Sequence, residues 1–465
     1  MILLSHSYFL RHDQKQLAKM KPYSPLSTLI LASLLRQNGQ RVALFDATFA
    51  DGLGDFEAAL ERHRPRTVLL MEDNFNFLTK MCTTERRETA LAMIRAARAR
   101  GCRVAVNGPD EADLPAVYLA AGAQAVARGE GEMALAELVG LWEGGGADAA
   151  SVAGLIVPGP ARPVFTGARA PLRELDSLPL PAWDLLDIEA YRNAWTSAHG
   201  AFSWNMATSR GCPYTCNWCA KPTFGRRYTA RSPDAVVREM TRVKIEIAPD
   251  QIWFADDIFA LDAAWAASFA RAVVQAGCRI PFTMQSRVNL MTGPTVAALA
   301  EAGAREVWLG VETGSQRILD AMDKGASVAA ARAATRLLKT HGVRACWFIQ
   351  LGYPPEGWAD ILATRDLIRE ERPDEIGVSV AYPLPGTAFH ARVEAQLGRQ
   401  RNWRDTGELA MLFQGAYSTA LYRKVRDLLH AENETGDEDD EAWDGLEAEA
   451  CQHRSPHPFQ LSLEA

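Results

Sequence analysis

Short apolar runs alternate with amphipathic helical patterns along the first 142 residues of the chain. The apolar runs have the length of buried strands and lie at residues 2–4, 42–45, 67–70, 103–106 and 123–127. The helical patterns lie between and after them, at residues 26–37, 56–63, 85–100, 112–121 and 132–142. This order is typical of a parallel α/β sheet covered by helices. We therefore expect residues 1–142 to form one doubly wound, Rossmann-like domain.

The composition changes after this region, because residues 143–202 are rich in glycine and proline. They include Gly144-Gly-Gly and the proline-rich runs Val157-Pro-Gly-Pro and Leu178-Pro-Leu-Pro. Glycine and proline interrupt helices and strands. We therefore expect these residues to form a linker that wraps around the fold without packing into it.

From residue 203 the alternation resumes with six further strands separated by helices. The strands are predicted at residues 204–208, 251–255, 281–285, 306–310, 345–351 and 376–380. The helices are predicted at residues 234–247, 263–276, 294–302, 328–341 and 359–371. Six β/α units are too few for a closed eight-stranded barrel. We expect an open, partial (β/α)6 barrel over residues 203–390 and a helical C-terminal segment over residues 391–430.

The net charge of −7 comes from one acidic segment. Residues 431–450 carry ten acidic side chains and neither lysine nor arginine, so the remaining residues are close to neutral. We expect residues 431–465 to form an acidic, disordered tail. A near-neutral fold without a clustered basic face argues against a nucleic-acid partner. No segment has the ~20 apolar residues of a membrane span, and the start lacks a signal-peptide pattern, so we expect a cytoplasmic protein.

Three of the eight cysteines lie close together, in a loop after the first strand of the predicted barrel. They are Cys212, Cys216 and Cys219, and their spacing is C-x3-C-x2-C. Three thiolates from one loop suit a 4Fe–4S cluster, in which one of the four irons is left open for a small molecule. A structural zinc site is the alternative, but it needs a fourth cysteine or histidine. Residues 203–231 contain no such residue, so the pattern favours the cluster.

This spacing, with Trp218 before the last cysteine, resembles the radical S-adenosylmethionine (SAM) superfamily. The resemblance implies that the open iron binds the amino and carboxylate groups of SAM and that reduction releases a 5′-deoxyadenosyl radical. It also implies a small-molecule substrate and an external one-electron donor such as flavodoxin or ferredoxin. Trp218 is expected among the SAM-binding residues.

Polar groups and glycines at later strand ends extend the resemblance to the rest of the SAM site. It implies that Asp256 and Asp257 lie near the methionine amine, and that Arg287 pairs with the methionine carboxylate as a fork-shaped donor. Glu312 is expected at the ribose or amine, and Gly352 at the adenine. Each is a weak signal alone, since an acid at a strand end is more often a cap or a surface residue.

The first domain resembles the cobalamin-binding domain of class B radical methylases and of the anaerobic magnesium-protoporphyrin ester cyclase, so that the resemblance spans residues 1–430. The implied cobalamin-binding residues are Pro25, Leu26, Gly108, Pro109, Gly129, Glu130 and Gly131. Glycines at strand ends let the backbone approach a flat macrocycle. The Asp-x-His-x-x-Gly loop that supplies a lower ligand in other cobalamin proteins is missing, which leaves His6 and His12 as possible ligands. The loop over residues 71–82 either forms an apolar floor beneath the corrin or simply packs on the core.

The favoured hypothesis is a radical SAM enzyme that uses cobalamin to methylate an unactivated carbon. An oxidative cyclase or rearrangement enzyme of the tetrapyrrole-cyclase type uses the same parts and is the runner-up. A non-catalytic cobalamin or redox sensor is a third hypothesis, which release of 5′-deoxyadenosine would exclude. A methylthiotransferase is rejected, because that family needs three N-terminal cysteines and only Cys82 and Cys102 precede the linker.

Overall fold

The computed structural model of the chain describes residues 1–75, 83–146, 148–219, 224–397 and 409–452. The chain divides into two compact units. Of the described residues, the first unit contains 1–212 and 224–257, and the second contains 213–219, 258–397 and 409–452.

A seven-stranded sheet forms the centre of the first unit, in the order β2-β1-β3-β4-β5-β6-β7. Its strands are β1 Ile2–Ser5, β2 Val42–Phe45, β3 Thr67–Met71, β4 Arg103–Asn107, β5 Ala125–Ala127, β6 Leu155–Val157 and β7 Val164–Phe165. The first five are parallel, whereas β6 and β7 are antiparallel to their neighbours. Val68 and Leu70 face one hydrophobic core and Leu69 faces another, which is why these strands are continuous apolar runs.

The first unit contains nine α-helices among the described residues, and some of them cover the two faces of this sheet. They are α1 Gln14–Lys19, α2 Leu26–Gln37, α3 Leu53–His63, α4 Thr83–Ala99, α5 Pro109–Asp113, α6 Pro115–Ala120, α7 Glu132–Glu143, α8 Ile188–His199 and α9 Pro233–Glu246. Helices α2 and α7 pack on one face, and α3 and α4 pack on the other. The unit also contains the parallel pair β8 Ser203–Met206 and β11 Gln251–Phe254, and the antiparallel pair β9 Ser209–Arg210 and β10 Thr229–Ala230.

The second unit contains four parallel strands, paired in chain order. They are β12 Phe282–Ser286, β13 Ala304–Glu312, β14 Arg344–Leu351 and β15 Glu375–Val380. Its helices are α10 Ala263–Ala276, α11 Gly293–Ala302, α12 Gln316–Ala321, α13 Val328–Thr340, α14 Trp358–Glu371, α15 Ala388–Val393, α16 Thr419–Thr435 and α17 Asp440–Gln452. All six strands predicted after residue 203 are present, and the predicted α/β fold class is confirmed.

The prediction of an unpacked linker is wrong for part of residues 143–202. Strands β6 and β7 extend the first sheet, and Leu155, Ile156 and Val157 are buried. Helix α8 follows, with Tyr191 and Trp195 buried. Two short strands between glycines and prolines gave too few apolar residues in a row to be recognised.

The prediction of a disordered tail is also wrong for residues 431–452, where α16 continues to Thr435 and α17 spans Asp440–Gln452. Trp443, Leu446 and Ala450 are buried at a helical spacing, while the acidic residues around them face water. Glu432 accepts hydrogen bonds from Trp443 Nε1 at 2.9 Å and from Arg369 at 2.7 and 2.9 Å. The narrow apolar stripe of this helix was therefore not recognised, because most of the residues around it are acidic.

Residues 453–465 lie outside the described part of the chain. Among the described residues, no helix is long and apolar enough to cross a membrane.

Candidate functional site

In the first unit, Asp256 holds the residues that lead into the cysteine loop. Its carboxylate accepts hydrogen bonds from the Thr208 amide at 3.1 Å, the Thr208 hydroxyl at 2.7 Å and the Ser209 hydroxyl at 2.5 Å. Asp256 is fully buried, and this burial raises its pKa to about 6 against the opposing effect of these bonds. The side chain predicted to contact SAM is thus already occupied with the loop. Its half-buried neighbour Asp257 follows it in the chain.

Arg210 fixes the next part of the loop through a buried ion pair. Its guanidinium lies 2.8 Å from Glu132 and 3.7 Å from Glu130, and also over the rings of Phe75 and Phe224. Burial raises the pKa of Glu132, although the charge of Arg210 opposes the shift. The ion pair joins the cysteine loop to the predicted cobalamin-binding segment at residues 129–131.

Gly211 and Cys212 complete the part of the loop that belongs to the first unit. Gly211 has a φ of +80°, and a Cβ on it would lie 2.0 Å from the carbonyl oxygen of Arg227. Only glycine fits this close approach. The Cys212 amide donates to the Gly225 carbonyl at 3.2 Å, so its backbone is anchored directly after this turn.

In the second unit, Asn217 anchors the loop between the other two cysteines. Its amide donates to the Met322 carbonyl at 3.0 Å, and its side chain donates to the Ala321 carbonyl at 2.8 Å. Its side-chain oxygen accepts from the Tyr353 hydroxyl at 2.5 Å, and its carbonyl accepts from the Phe389 amide at 3.0 Å. Sequence reasoning missed this residue, since nothing in the pattern marks an asparagine between cysteines as an anchor.

Arg287 contacts the cysteine loop directly. Its Nη1 donates to the Sγ of Cys216 at 3.3 Å, and its guanidinium carbon lies 3.7 Å from the centre of the Tyr214 ring. Its Nε donates to Asn289 at 3.2 Å, and its Nη2 donates to the Lys324 carbonyl. The donor predicted for the methionine carboxylate is therefore engaged by protein groups.

A buried ion pair lies beside Trp218 in the same unit. The Nζ of Lys324 is 2.5 Å from the Oε1 of Glu312 and 5.9 Å from the centre of the Trp218 ring. Glu312 has a φ of +68°, a conformation that costs a non-glycine residue about 1–3 kcal/mol. Backbone strain of this kind is found preferentially at functional sites. Lys324 was not predicted, because it follows a short helix and not a strand.

Gly352 makes its closest contacts with other parts of the second unit. Its amide donates to Glu356 Oε2 at 2.6 Å, and burial raises the pKa of Glu356 to about 8. Gly352 has a φ of +77°, and a Cβ on it would lie 3.1 Å from the Cε of Met411. Of the predicted SAM-binding residues, the second unit thus groups Trp218, Arg287 and Glu312 near the cysteine loop.

The predicted cobalamin-binding glycines lie at the carboxyl edge of the first sheet, and neighbouring side chains crowd two of them, Gly108 and Gly131. A Cβ on Gly131 would lie 2.4 Å from the side chain of Asn107, and one on Gly108 would lie 2.1 Å from Oε2 of Glu111. The Nδ2 of Asn107 donates to the carbonyls of Ala127 at 2.9 Å and of residue 129 at 3.1 Å. Asn107 therefore sets the path of the loop containing Gly129, Glu130 and Gly131, after β5.

The segment before α2 is anchored from two sides. Asn205 on β8 accepts from the Ser24 amide at 3.0 Å and donates to the Ser24 carbonyl at 2.9 Å. Trp195 Nε1 donates to the Pro22 carbonyl at 2.8 Å. These bonds position Pro25, directly before α2, and the buried Leu26 that begins the helix. Pro109 is the first residue of α5 and follows Gly108.

Buried charges lie beneath this edge and were not predicted. Glu72 follows β3, accepts from the Ser7 hydroxyl at 2.6 Å, and lies 3.0 Å from Arg86. Arg86 is also 3.7 Å from Glu111, whose pKa burial raises to about 8. Single charges scattered over three elements leave no local pattern in a sequence.

Of the loop over residues 71–82, the structure describes residues 71–75. Residues 76–82, and with them most of the predicted apolar floor, lie outside the described residues.

Both ring nitrogens of His6 have hydrogen-bond partners, and one ring nitrogen of His12 has one. Nε2 of His6 lies 2.9 Å from Asp46, and its Nδ1 accepts from the Tyr8 amide at 3.3 Å. The Nδ1 of His12 lies 3.5 Å from the Thr89 hydroxyl, and its ring stacks on Phe9. As placed, His6 is a hydrogen-bonding residue.

Comparisons with known proteins define the class. Residues 206–368 match the model of the radical SAM superfamily. An uncharacterised methyltransferase from Pyrococcus horikoshii is 30% identical over 60% of this chain and 60% of its own length. The anaerobic magnesium-protoporphyrin IX monomethyl ester cyclase of Rubrivivax gelatinosus is 27% identical over 56% of this chain and 47% of its own. The chain thus spans about half to three-fifths of the length of these curated relatives.

Residues 206–368 are therefore a radical SAM domain, as the cysteine motif predicted. The similarity of fold extends over most of the chain. The solved radical SAM methyltransferase TsrM from Kitasatospora setae, with cobalamin and a 4Fe–4S cluster bound, superimposes with a TM-score of 0.69. It covers 86% of this chain and 76% of its own at 19% identity. This similarity confirms the predicted fold class, a Rossmann-like domain together with a partial barrel.

Proposed function

We propose that this protein is a cobalamin-dependent radical SAM enzyme that methylates an unactivated carbon of a small-molecule substrate. The C-x3-C-x2-C loop carries the proposal, because it lies inside the segment that matches the radical SAM superfamily. Cys212, Cys216 and Cys219 are the proposed ligands of the 4Fe–4S cluster. The anchoring of Asn217 by four hydrogen bonds supports this assignment, since a cluster needs ligands in a fixed geometry.

SAM is proposed to bind beside this loop. Trp218 carries a buried Nε1 for which no hydrogen-bond partner is found among the described residues, and the ion pair of Lys324 and Glu312 lies next to its ring. A ligand with both an amine and a carboxylate suits a site that holds one charge of each sign. Asp257 and Gly352 remain proposed members of this site, whereas Asp256 and Arg287 are proposed to act by holding the cysteine loop.

Cobalamin is proposed to bind at the carboxyl edge of the first sheet. Gly108 and Gly131 support this proposal, because a Cβ on either residue would overlap a neighbouring side chain, so that the loops at this edge require glycine at both positions. The engagement of His6 by Asp46 argues against His6 as its lower ligand. When bound, the cluster would supply the electron that cleaves SAM into methionine and a 5′-deoxyadenosyl radical, and methylcobalamin would supply the methyl group.

The proposal is tested with anaerobically purified full-length protein. We expect iron and sulfide in equal amounts, and release of 5′-deoxyadenosine from SAM after reduction by dithionite or by flavodoxin or ferredoxin, the proposed donors. Replacing Cys212, Cys216 and Cys219 together by alanine should abolish both. Cys451→Ser is the matched control, because Cys451 is exposed at the end of α17 and should leave both unchanged. Zinc or no iron in the wild-type protein would refute the proposal.

A cyclase reaction is the second candidate, favoured by the similarity to the magnesium-protoporphyrin ester cyclase. The two are separated by the mass of the product formed with methyl-labelled SAM. A methyltransferase transfers the label to its substrate, whereas a cyclase does not. A sensor would hold cofactors but release no 5′-deoxyadenosine.

A further inference from the structure

Arg287 directs its donors to protein acceptors around the cysteine loop. Nη1 donates to the sulfur of Cys216 at 3.3 Å, and Nε donates to the Asn289 side chain at 3.2 Å. Nη2 donates to the carbonyl of Lys324 and, at 3.4 Å, to that of Gly325. Each of the three guanidinium nitrogens therefore has a protein partner, and one of these is a cysteine sulfur.

The surroundings keep the guanidinium in this position. Arg287 is 5% exposed, and the face of its guanidinium lies on the Tyr214 ring. A cation held against an aromatic face is stabilised by the ring's quadrupole, and more strongly when both are shielded from water. Arg287 directly follows β12, and the 3₁₀ turn Val288–Leu290 begins with the next residue, so its backbone is fixed as well.

We infer that Arg287 is a positioning residue that donates a hydrogen bond to the Cys216 thiolate and thereby raises the reduction potential of the cluster. The inference rests on the proposed function, since it requires a cluster at this loop. Hydrogen bonds to cluster sulfurs and nearby positive charge favour the reduced, more negative state. The resemblance to the superfamily implied a different role, in which Arg287 pairs with the methionine carboxylate. That pairing requires the guanidinium to release partners it already holds.

The two roles make opposite predictions for protein without SAM. If Arg287 donates to the cluster ligand, Arg287→Gln makes the cluster's midpoint potential more negative before any SAM is added. If Arg287 instead pairs with the carboxylate, the SAM-free potential is unchanged and the Kd for SAM rises by ~30-fold or more. The potential is measured by anaerobic redox titration followed by electron paramagnetic resonance, and the Kd by equilibrium dialysis.

Two further variants complete the experiment. Arg287→Lys keeps the charge but not the forked geometry, so we expect a smaller negative shift than with glutamine. It provides the measurement if the glutamine variant loses iron. Arg271→Gln is the matched control, because Arg271 is exposed on α10 and bonds only to Ser268 among the contacts seen. Its potential should equal that of the wild type.

The outcomes separate this inference from the proposed function. An unchanged SAM-free potential in both Arg287 variants overturns the inference while the proposed function stands. Wild-type protein without a cluster at the loop removes both. A negative shift in the Arg287 variants, with an unchanged control, supports the inference.

Discussion

The buried ion pair of Lys324 and Glu312 allows a quantitative test of the site in the second unit. The two charged atoms are 2.5 Å apart, and the residues are 6% and 4% exposed. Removing one partner leaves the other charge buried without a counterion, which costs about 3–5 kcal/mol. Removing both partners costs far less, because no isolated charge remains. The stability of the pair therefore depends on both members together.

The perturbation is a double-mutant cycle of Lys324→Met, Glu312→Gln and the two combined. We measure amide hydrogen exchange of β13 in anaerobic protein without SAM. A local loss of 3–5 kcal/mol speeds exchange by roughly 100- to 4000-fold in each single variant. The double variant should regain most of the protection, with a coupling energy of about 2 kcal/mol or more.

SAM binding distinguishes a structural pair from a binding pair. If Lys324 or Glu312 contacts SAM, the double variant regains its exchange protection but not its SAM affinity. A purely structural pair regains both. A coupling energy below about 0.5 kcal/mol, the value of an exposed pair, would refute the reasoning, since it would mean that the two charges are not desolvated together.

Three further predictions concern the first sheet and the acidic helix. Gly131→Ala should weaken cobalamin binding at least ~tenfold in a visible-absorption titration, because a Cβ there overlaps a side chain; Gly145→Ala carries similar backbone strain in open space and should bind normally. Burial lowers the pKa of His6, but the hydrogen bond and charge of Asp46 outweigh it and raise the pKa above 6.5. The stability this histidine contributes is thus complete below pH 6.5 and is lost as the pH rises through the raised value; thermal melts should show this slope, and His6→Gln should remove it. Glu432→Ala should expose α17 to proteolysis under conditions in which the wild-type helix resists; equal resistance would contradict its docking through Glu432.

The elements that sequence reasoning recovered are those whose burial leaves a local trace. Strands β1 and β3 are buried on both faces, so that most of their residues are apolar, and the run is visible without any knowledge of its neighbours. Helix α17 shows the opposite case. Its buried Trp443, Leu446 and Ala450 occupy one narrow stripe, and ten acidic residues in the surrounding segment made its average composition resemble that of a disordered chain.

The residues of the candidate site likewise fall into those that the sequence predicted and those that it did not. Cys212, Cys216 and Cys219 were found because ligands from one loop carry their spacing in the sequence. Lys324 and Asn217 were missed, because their importance comes from partners outside their own segments: Glu312 lies 12 residues from Lys324, and Tyr353 lies 136 residues from Asn217.

By itself, the sequence determined most of the strands and helices, the fold class and the cysteine loop, since each depends on the spacing of residues that are close together in the chain. Only the tertiary structure decided which side chains surround that loop. From the sequence, Arg287 is an arginine at a strand end, and its expected partner is the methionine carboxylate. Only in the folded chain does its guanidinium lie next to the sulfur of Cys216. Hydrogen bonds and ion pairs act over a few ångströms, and the chain separation of their partners places no limit on them.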